Sequence, residues 1–241
     1  MDRAPPDWLT RQTYAHRGLH NVGIPENSRA AAIAAMEAGY GIECDIQLSR
    51  DNVPMVFHDW ELDRLTDERG PVVSKPAREL CQVSLRESDQ PIWRLTELLD
   101  LVDGKVPLLI EIKSKPHFDI ASACAATARI LVNYGGPFAV MSFDPRAGEW
   151  FAKHQPEMAR GLVVTDTLDL GFLGAWRKPR ALERAQPDFL ACDVRDLPNA
   201  LARLWRESGR PLLTWTVRNR DLADRATRHA DSAIAEGEGI G

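Results

Sequence analysis

The chain has 241 residues, of which 44% are hydrophobic and 27% charged, and its formal net charge is -5. This balance is typical of a soluble globular protein with a buried core, and it excludes a long disordered chain. The negative charge and the lack of a dense lysine and arginine run argue against nucleic acid as substrate or partner.

The sequence favours a cytoplasmic protein without stable membrane insertion. Its opening, MDRAPPDWLTRQTYAHRG, has prolines and charges where a secretory signal would have an unbroken apolar stretch. No later segment offers the roughly 18 consecutive apolar residues of a membrane-spanning helix. Four cysteines lie far apart without a C-x-x-C pair, which predicts reduced, mostly buried thiols. They are Cys44, Cys81, Cys124 and Cys192.

Eight short β-type segments alternate with helical ones, a pattern typical of parallel strands connected by crossover helices. The predicted strands are TYAHRG (13–18), GIECDIQLS (41–49), PLLIEIKS (107–114), FAVMSFD (138–144), RGLVVTD (160–166), DFLACDV (188–194), PLLTWTV (211–217) and DSAIAEG (231–237). Helical segments such as NSRAAAIAAMEAG, DIASACAATARILVNYGG and PNALARLWRESG begin with Asn, Asp or Pro and end with Gly. The eight repeats predict an α/β protein with a (β/α)₈ TIM barrel, forming one domain over residues 1–241.

The connection after the second strand is longer than one helix requires. GIECDIQLS and VPMVFHD are separated by a turn near residues 50–52, too short for a parallel crossover, so we predict an antiparallel hairpin. A two-residue turn would place Asp45 directly opposite His58, although a slip of one residue would change this pairing. An insertion at roughly 59–105 follows, and its Pro-, Gly- and charge-rich stretch near 60–95 predicts an irregular surface loop over the barrel mouth.

Three carboxylates and a lysine are predicted to meet at the barrel mouth. Glu43 and Asp45 are two residues apart on one strand, so both side chains point into the barrel. Glu111 and Lys113 repeat this spacing on another strand. Burying an isolated carboxylate costs on the order of several kcal/mol, so the cluster indicates a hard divalent cation, Mg²⁺ or Ca²⁺ rather than zinc. The alternative is that Glu111 and Lys113 form ordinary ion pairs at the rim.

Two histidines end neighbouring segments at the barrel face where active sites of this fold lie. His16 occurs in AHRG and His58 in VFHD. Their ordinary pKa near neutrality suits a general acid and a general base, whereas a single histidine would more often be a hydrogen-bonded core residue. The other four histidines are expected at the surface: His20, His117, His154 and His229.

Further polar and aromatic residues have two open interpretations each. Arg17 and Lys113 would supply positive charge to a phosphodiester, although Arg17 could instead cap the barrel rim. Asn27, in IPENS, could be the N-cap of the first helix or belong to the site. Trp215, in LLTWTV, would point into the barrel near its top as a core residue or as a substrate platform.

In this order and combination, the motifs resemble the glycerophosphodiester phosphodiesterase family over nearly the whole chain. They are AHRG, PENS, IECDIQLS, VPMVFHD, LDRLT, LIEIK, MSFD and TWTV. The resemblance implies a TIM barrel with a divalent metal. The residues it implies are the metal ligands Glu43, Asp45 and Glu111, the acid and base pair His16 and His58, and Arg17 and Lys113 near the phosphate. We expect His16 to be the acid and His58 the base.

The resemblance further implies hydrolysis of glycerophosphodiesters to glycerol 3-phosphate and an alcohol such as choline or ethanolamine, in lipid and glycerol metabolism. One histidine would activate a glycerol hydroxyl, giving a cyclic phosphate, or would activate water directly; the other would protonate the leaving alcohol. One departure concerns the last strand, where many relatives have an Ile-x-Thr-Asp type sequence and this chain has DSAIAEGEGIG. Glu236 could replace that Asp, and the headgroup preference is open.

Three other interpretations compete with this one. A lysophospholipase D or sphingomyelinase D relative would share the histidines and Glu-x-Asp, but would be expected to be secreted and disulfide-bonded. A glycosidase would place its carboxylates on either side of a bond, whereas Glu43 and Asp45 lie on one strand, roughly 7 Å apart. A non-catalytic phosphate-binding barrel would not need both histidines. We predict a small-molecule phosphodiester as the substrate and leave a homo-oligomer open.

Overall fold

The computed structural model describes residues 4–115, 117–165 and 178–240. Within these ranges ten strands form one sheet: β1 (Tyr14–Ala15), β2 (Gly41–Leu48), β3 (Pro54–Val56), β4 (Trp93–Arg94), β5 (Leu108–Ile112), β6 (Phe138–Ser142), β7 (Ala159–Val164), β8 (Phe189–Asp193), β9 (Leu212–Val217) and β10 (Ser232–Ala235). All except β3 and β4 are parallel neighbours, and β1 pairs with both β10 and β2, which closes an eight-stranded barrel. The predicted fold class is confirmed. The predicted strand 160–166 ends at a residue outside the described ranges.

Helices connect the barrel strands and cover the outside of the sheet, except for the short helix Ala77–Leu80, which packs within the insertion after β3. They are α1 (Arg29–Glu37), α2 (Ala77–Leu80), α3 (Leu95–Val102), α4 (Ile120–Leu131), α5 (Pro145–His154), α6 (Lys178–Ala185), α7 (Ala200–Glu207) and α8 (Arg220–His229). Several begin where a short polar side chain accepts a backbone N–H of the first turn, as Asp119 does for α4 and Asn199 for α7. Among the described residues, none of the helices combines the length and apolar character needed to cross a membrane.

The alternation of side chains along each strand divides the barrel into two environments. On β5, Leu108, Ile110 and Ile112 face outward into the core between sheet and helices, while Leu109 packs inside the barrel. Glu111 lies two residues after Leu109, so it shares the interior face at the carboxyl end of the strand. The barrel interior is therefore apolar in its lower layers and charged at its mouth.

The hairpin of β2 and β3 forms, but the predicted register is wrong by one residue. Ile46 pairs with Val56, and the amide of Phe57 donates to the carbonyl of Asp45 at 3.0 Å. Phe57, rather than His58, therefore stands beside Asp45 in the ladder.

Side-chain hydrogen bonds in the turn explain this shift. The Ser49 hydroxyl donates to Asp51 Oδ1 at 2.6 Å and accepts the amide of Val53 at 3.0 Å. Asn52 adopts a left-handed φ of 59°, and its amide donates to the Ser49 carbonyl at 3.0 Å. These contacts stabilise a three-residue loop, with the left-handed residue that such loops require, instead of the two-residue turn.

Residues 59–92, which we call the mouth segment, contain more regular structure than the predicted irregular loop, including the short helix α2. Their apolar side chains form one cluster with Met55 of β3 and with Phe57, and the following β4 pairs antiparallel with β3. The buried members are Met55, Phe57, Leu62, Val72, Ala77, Leu80, Val83, Leu85 and Ile92. Helix α3, which also lies within the range 59–105, is the crossover that returns the chain to β5.

Candidate active site

The turn after β1 places two polar residues at the barrel mouth. The amide of His16 donates to the Ala235 carbonyl at 2.9 Å, continuing the β1–β10 pairing, and Arg17 and Gly18 then adopt left-handed φ values of 58° and 75°. The Gly18 amide donates to the carbonyls of Ala15 and Glu43 at 3.1 and 3.2 Å. This tight turn holds His16 and Arg17 against β2.

We expect Gly18→Ala to lower the free energy of unfolding by about 1–3 kcal/mol, because a Cβ there is both strained and overpacked. It would meet the carbonyl carbon and Cβ of Ala31 at 2.8 Å. Chemical denaturation measures the change. Gly135→Ala is the matched control, since no atom lies within 4 Å of its added Cβ. Equal stability of the two variants would contradict the argument.

Three buried carboxylates lie together at the mouth. Glu43, Asp45 and Glu111 are 1%, 2% and 8% exposed, and one oxygen of each lies within 4.8 Å of the others. Burial, followed by the charges of Asp45 and Glu111, raises the pKa of Glu43 well above its ordinary value. Burial alone would also raise the pKa of Asp45, but the neighbouring positive groups, Lys113 first, outweigh it and hold this pKa below its ordinary value. Three carboxylate oxygens this close together can hold a metal ion.

Two side chains bring positive charge to the carboxylates. Lys113 Nζ lies 2.9 Å from Glu111 Oε1 and 3.3 Å from Asp45 Oδ1. Arg17 Nε lies 3.3 Å from Asp45 Oδ2, and Arg17 Nη1 donates to Glu26 Oε1 at 2.6 Å. Arg17 therefore lies within the cluster rather than capping the rim. Lys113 and Glu111 thus pair within this cluster rather than with other residues of the rim, and the three carboxylates outnumber the two cations.

His16 has a carboxylate partner, Glu236, outside the cluster of three. Its Nδ1 is hydrogen-bonded to Glu236 Oε2, to which His20 Nε2 also approaches at 3.3 Å. Arg218 Nε donates to the other oxygen of Glu236 at 2.6 Å. Burial lowers the pKa of His16, and the hydrogen bond to Glu236 opposes that shift. Glu236 directly follows β10, the last strand, and contacts His16. His20, which was expected at the surface, contacts Glu236 as well.

His58 has its own carboxylate partner. Its Nδ1 lies 2.6 Å from Asp59 Oδ1, and Arg64 of the mouth segment donates to both oxygens of Asp59. Burial would raise the pKa of Asp59, but hydrogen bonds from Arg64 and His58 lower it to about 2. Asp59 is therefore ionised at neutral pH and orients the imidazole. Each predicted histidine has its Nδ1 atom fixed in this way, which leaves Nε2 for other partners.

Asn27 does not cap the first helix. Ser28 is the N-cap of α1, and its hydroxyl accepts the amide of Ala31 at 3.0 Å. The Asn27 side chain instead donates to Asp45 Oδ2 at 3.0 Å and accepts the amide of the same residue at 3.2 Å. Asn27 thus fixes the orientation of the Asp45 carboxylate.

Trp215 lines the barrel wall beside the mouth. Its Nε1 donates to the Ala191 carbonyl at 2.9 Å, and its ring meets the Phe143 ring edge-on, with centroids 5.2 Å apart. Of the remaining histidines, His154 and His229 end α5 and α8 at the opposite face of the barrel, and His117 is exposed in the loop after β5.

Sequence inspection missed several supporting residues, each for a different reason. Asp59 is adjacent to His58 and Arg64 belongs to the LDRLT motif, but sequence alone assigns neither of them a role. Arg218 contacts Glu236 from the end of the paired strand β9, whereas His20 and Glu236 are 216 positions apart in the chain. Only closure of the barrel brings His20 and Glu236 together.

Active sites of TIM-barrel enzymes lie at the carboxyl ends of the strands, and the acidic and basic side chains of this protein gather at the same place. Residues 16–234 match the sequence model of the Glycerophosphoryl diester phosphodiesterase family, and the chain belongs to that family. It is a phosphoric diester hydrolase, and the resemblance inferred from the motifs is confirmed.

Individual relatives agree with this family. A Mycobacterium tuberculosis protein named "probable glycerophosphodiester phosphodiesterase 2" is 28% identical, over 95% of this chain and 92% of its own. A solved structure of an Oleispira antarctica phosphodiesterase in complex with the product sn-glycerol-3-phosphate has a TM-score of 0.81, with 24% identity and coverage of 94% and 93%. The Thermotoga maritima glycerophosphodiester phosphodiesterase structure has a TM-score of 0.74, 24% identity and coverage of 92% and 93%. These two structures share the barrel fold with this chain.

Proposed function

We propose that this enzyme hydrolyses glycerophosphodiesters to glycerol 3-phosphate and an alcohol, in one domain over residues 1–241. The observation that carries the proposal is the convergence, at one barrel mouth, of three buried carboxylates and two histidines. The names of the relatives support the substrate class, as does the product bound to the Oleispira antarctica phosphodiesterase. A cytoplasmic location stays a prediction, and the oligomeric state stays open.

The three carboxylates fit a hard divalent cation, Mg²⁺ or Ca²⁺. Their donor atoms are all oxygens, and the two nearby cationic side chains leave one formal negative charge of the cluster unbalanced. Glu43, Asp45 and Glu111 would be the ligands. The ion would stabilise the negative charge that develops on the phosphate oxygens during the reaction.

The basic side chains would bind and orient the diester. Arg17 and Lys113 both lie at the edge of the carboxylate cluster, where their charges can pair with phosphate oxygens. Asn27 would keep the carboxylate of Asp45 in one orientation through its two hydrogen bonds. Trp215 would form an apolar wall for the part of the substrate nearest β9.

The two histidines would move the protons. His58, oriented by Asp59, would take a proton at Nε2 from the attacking oxygen, which is either a glycerol hydroxyl or water. His16, oriented by Glu236, would give a proton from Nε2 to the oxygen of the leaving alcohol. Attack by the glycerol hydroxyl would give a cyclic phosphate that water then opens.

The pH profile of Glu236→Gln tests the role of His16. Burial and the charge of Arg17 lower the pKa of His16, whereas Glu236 and Asp45 raise it. Without the Glu236 charge this pKa falls further. A general acid must be protonated, so the alkaline limb of kcat/KM should move to lower pH, as measured by initial rates across the pH range.

The exposed Glu238 provides the control for this experiment, and Glu238→Gln should leave both limbs in place. Movement of the acid limb instead would make His16 the base and His58 the acid. A profile of Glu236→Gln identical to wild type would show that Glu236 does not act on the proton transfer.

A panel of diesters tests the substrate class. Purified protein is incubated with glycerophosphocholine, glycerophosphoethanolamine, a lysophospholipid and sphingomyelin, and the phosphorus products are identified by ³¹P NMR. Glycerol 3-phosphate from the first two supports the proposal and ranks the headgroups. Turnover of only the lysophospholipid or sphingomyelin would move the enzyme to the phospholipase D type of activity. Binding of glycerophosphocholine without any turnover would indicate a phosphate-binding barrel.

A further inference from the structure

One arginine of the mouth segment, Arg64, contacts two carboxylates beside the site, Glu26 and Asp59. Arg64 donates through Nη1 to Glu26 Oε2 at 2.9 Å and through Nη2 to Glu26 Oε1 at 2.8 Å. It also donates through Nε to Asp59 Oδ2 at 2.5 Å and through Nη2 to Asp59 Oδ1 at 2.9 Å. A single guanidinium therefore makes two paired contacts with two different carboxylates.

Each of these carboxylates holds a residue of the proposed reaction. Glu26 Oε1 also accepts Arg17 Nη1 at 2.6 Å, and Asp59 Oδ1 is 2.6 Å from His58 Nδ1. A continuous chain of hydrogen bonds thus runs from the phosphate-binding Arg17 to the proton-accepting His58, with Arg64 at its centre. Glu26 and Asp59 side chains are only 13% and 22% exposed, so water competes weakly for their oxygens.

The backbone that carries Arg64 is fixed on both sides. Leu62, two residues earlier, is fully buried in the apolar cluster of the mouth segment. Arg86 donates to the carbonyls of Asp63, Arg64 and Thr66 at 3.3, 3.1 and 2.5 Å. Arg64 therefore reaches the barrel from a preorganised loop and loses less conformational freedom than an unrestrained surface arginine would.

We propose that Arg64 is a positioning residue. Through Glu26 and Asp59 it fixes the positions of the Arg17 and His58 side chains relative to each other. The inference rests on the proposed function for the roles of those two residues. It also assigns a task to the mouth segment, which would complete the site by delivering this guanidinium. The two bidentate contacts need a planar fork of N–H donors, and a lysine offers only a point charge in its place.

Kinetics of Arg64→Gln and Arg64→Lys test the proposal on glycerophosphoethanolamine with saturating Mg²⁺. We expect kcat to fall about 10–100-fold in both variants, the range found for residues that orient site groups, with a smaller loss for the lysine variant. Added guanidinium ion at millimolar concentration should restore part of the activity of Arg64→Gln. The matched control is Lys75→Gln, which removes the ion pair with Glu68 at 3.2 Å in the same segment and should leave kcat unchanged.

A kcat of Arg64→Gln within about twofold of wild type would overturn the proposal, and so would an equal loss in Lys75→Gln. A loss of kcat in Arg64→Gln that neither guanidinium nor the lysine variant relieves, together with a lowered melting temperature, would also overturn it, because it indicates a purely structural role.

A second measurement does not depend on turnover. In ¹⁵N NMR spectra of the histidine rings, wild-type His58 should show one tautomer with the proton on Nδ1, since Asp59 accepts it. Arg64→Gln should give averaged tautomer signals, while Lys75→Gln should match wild type; unchanged His58 signals in Arg64→Gln would reject the role of Arg64. If wild-type protein released no glycerol 3-phosphate, the proposed function would fail, yet this spectrum would still decide whether Arg64 orients His58.

Discussion

Glu43→Gln is expected to remove the metal-dependent activity, lowering kcat/KM by about 10²–10³-fold or more. Glu43 is 1% exposed and contributes one of the three clustered oxygens. The amide replacement keeps its size and can still accept the amide of Arg17, which donates to Glu43 Oε2 at 3.0 Å. The formal negative charge of the cluster, however, falls by one. Initial rates of glycerol 3-phosphate release and calorimetric titration with Mg²⁺ and Ca²⁺ measure the two consequences.

Glu37→Gln is the control for this prediction, because Glu37 is exposed on α1, outside the barrel. It should bind metal and turn over substrate like wild type. Retention of both metal affinity and rate by Glu43→Gln would show that the cluster is not the metal site.

His58→Ala is expected to lower kcat by about 10²–10⁴-fold while metal binding is retained, because His58 would transfer a proton without being a ligand. Its Nδ1 partner Asp59 would remain paired with Arg64 after the substitution. The same rates and calorimetric titrations separate the two effects. Loss of rate with unchanged metal affinity would assign His58 to the proton transfer.

His229→Ala, at the end of α8 on the opposite face of the barrel, is the control and should behave as wild type. Normal turnover by His58→Ala would contradict the proton-transfer role. Loss of metal binding in His58→Ala would instead place this imidazole among the ligands.

The barrel could be predicted because its signals are local. Strand-forming segments alternate with helices whose caps, such as Asp119 and Asn199, lie within a few residues of the turns they stabilise. The hairpin register could not be predicted with the same rules. It depends on hydrogen bonds of the Ser49 hydroxyl that lengthen the turn by one residue. For Asn27 and Ser28, two good N-caps in succession, a shift of one residue decides which side chain enters the site.

In the candidate site too, some residues could be predicted from local spacing and others could not. Glu43 with Asp45, and Glu111 with Lys113, were predictable because a spacing of two on a strand fixes a common face. The partners of the histidines were not all predictable. Glu236 reaches His16 only because the last strand closes the barrel against the first, and 220 positions separate them in the chain. Arg64 reaches Asp59 through a fold of the mouth segment that has no simple periodicity.

The rate of glycerol 3-phosphate release from glycerophosphoethanolamine, by protein stripped with EDTA and then supplied with Mg²⁺ or Ca²⁺, tests the central claim most directly. The proposed site predicts negligible release after stripping and recovery with at least one of the two ions. Release that is equally fast with and without EDTA would contradict metal dependence, and no release under any condition would contradict the proposed substrate.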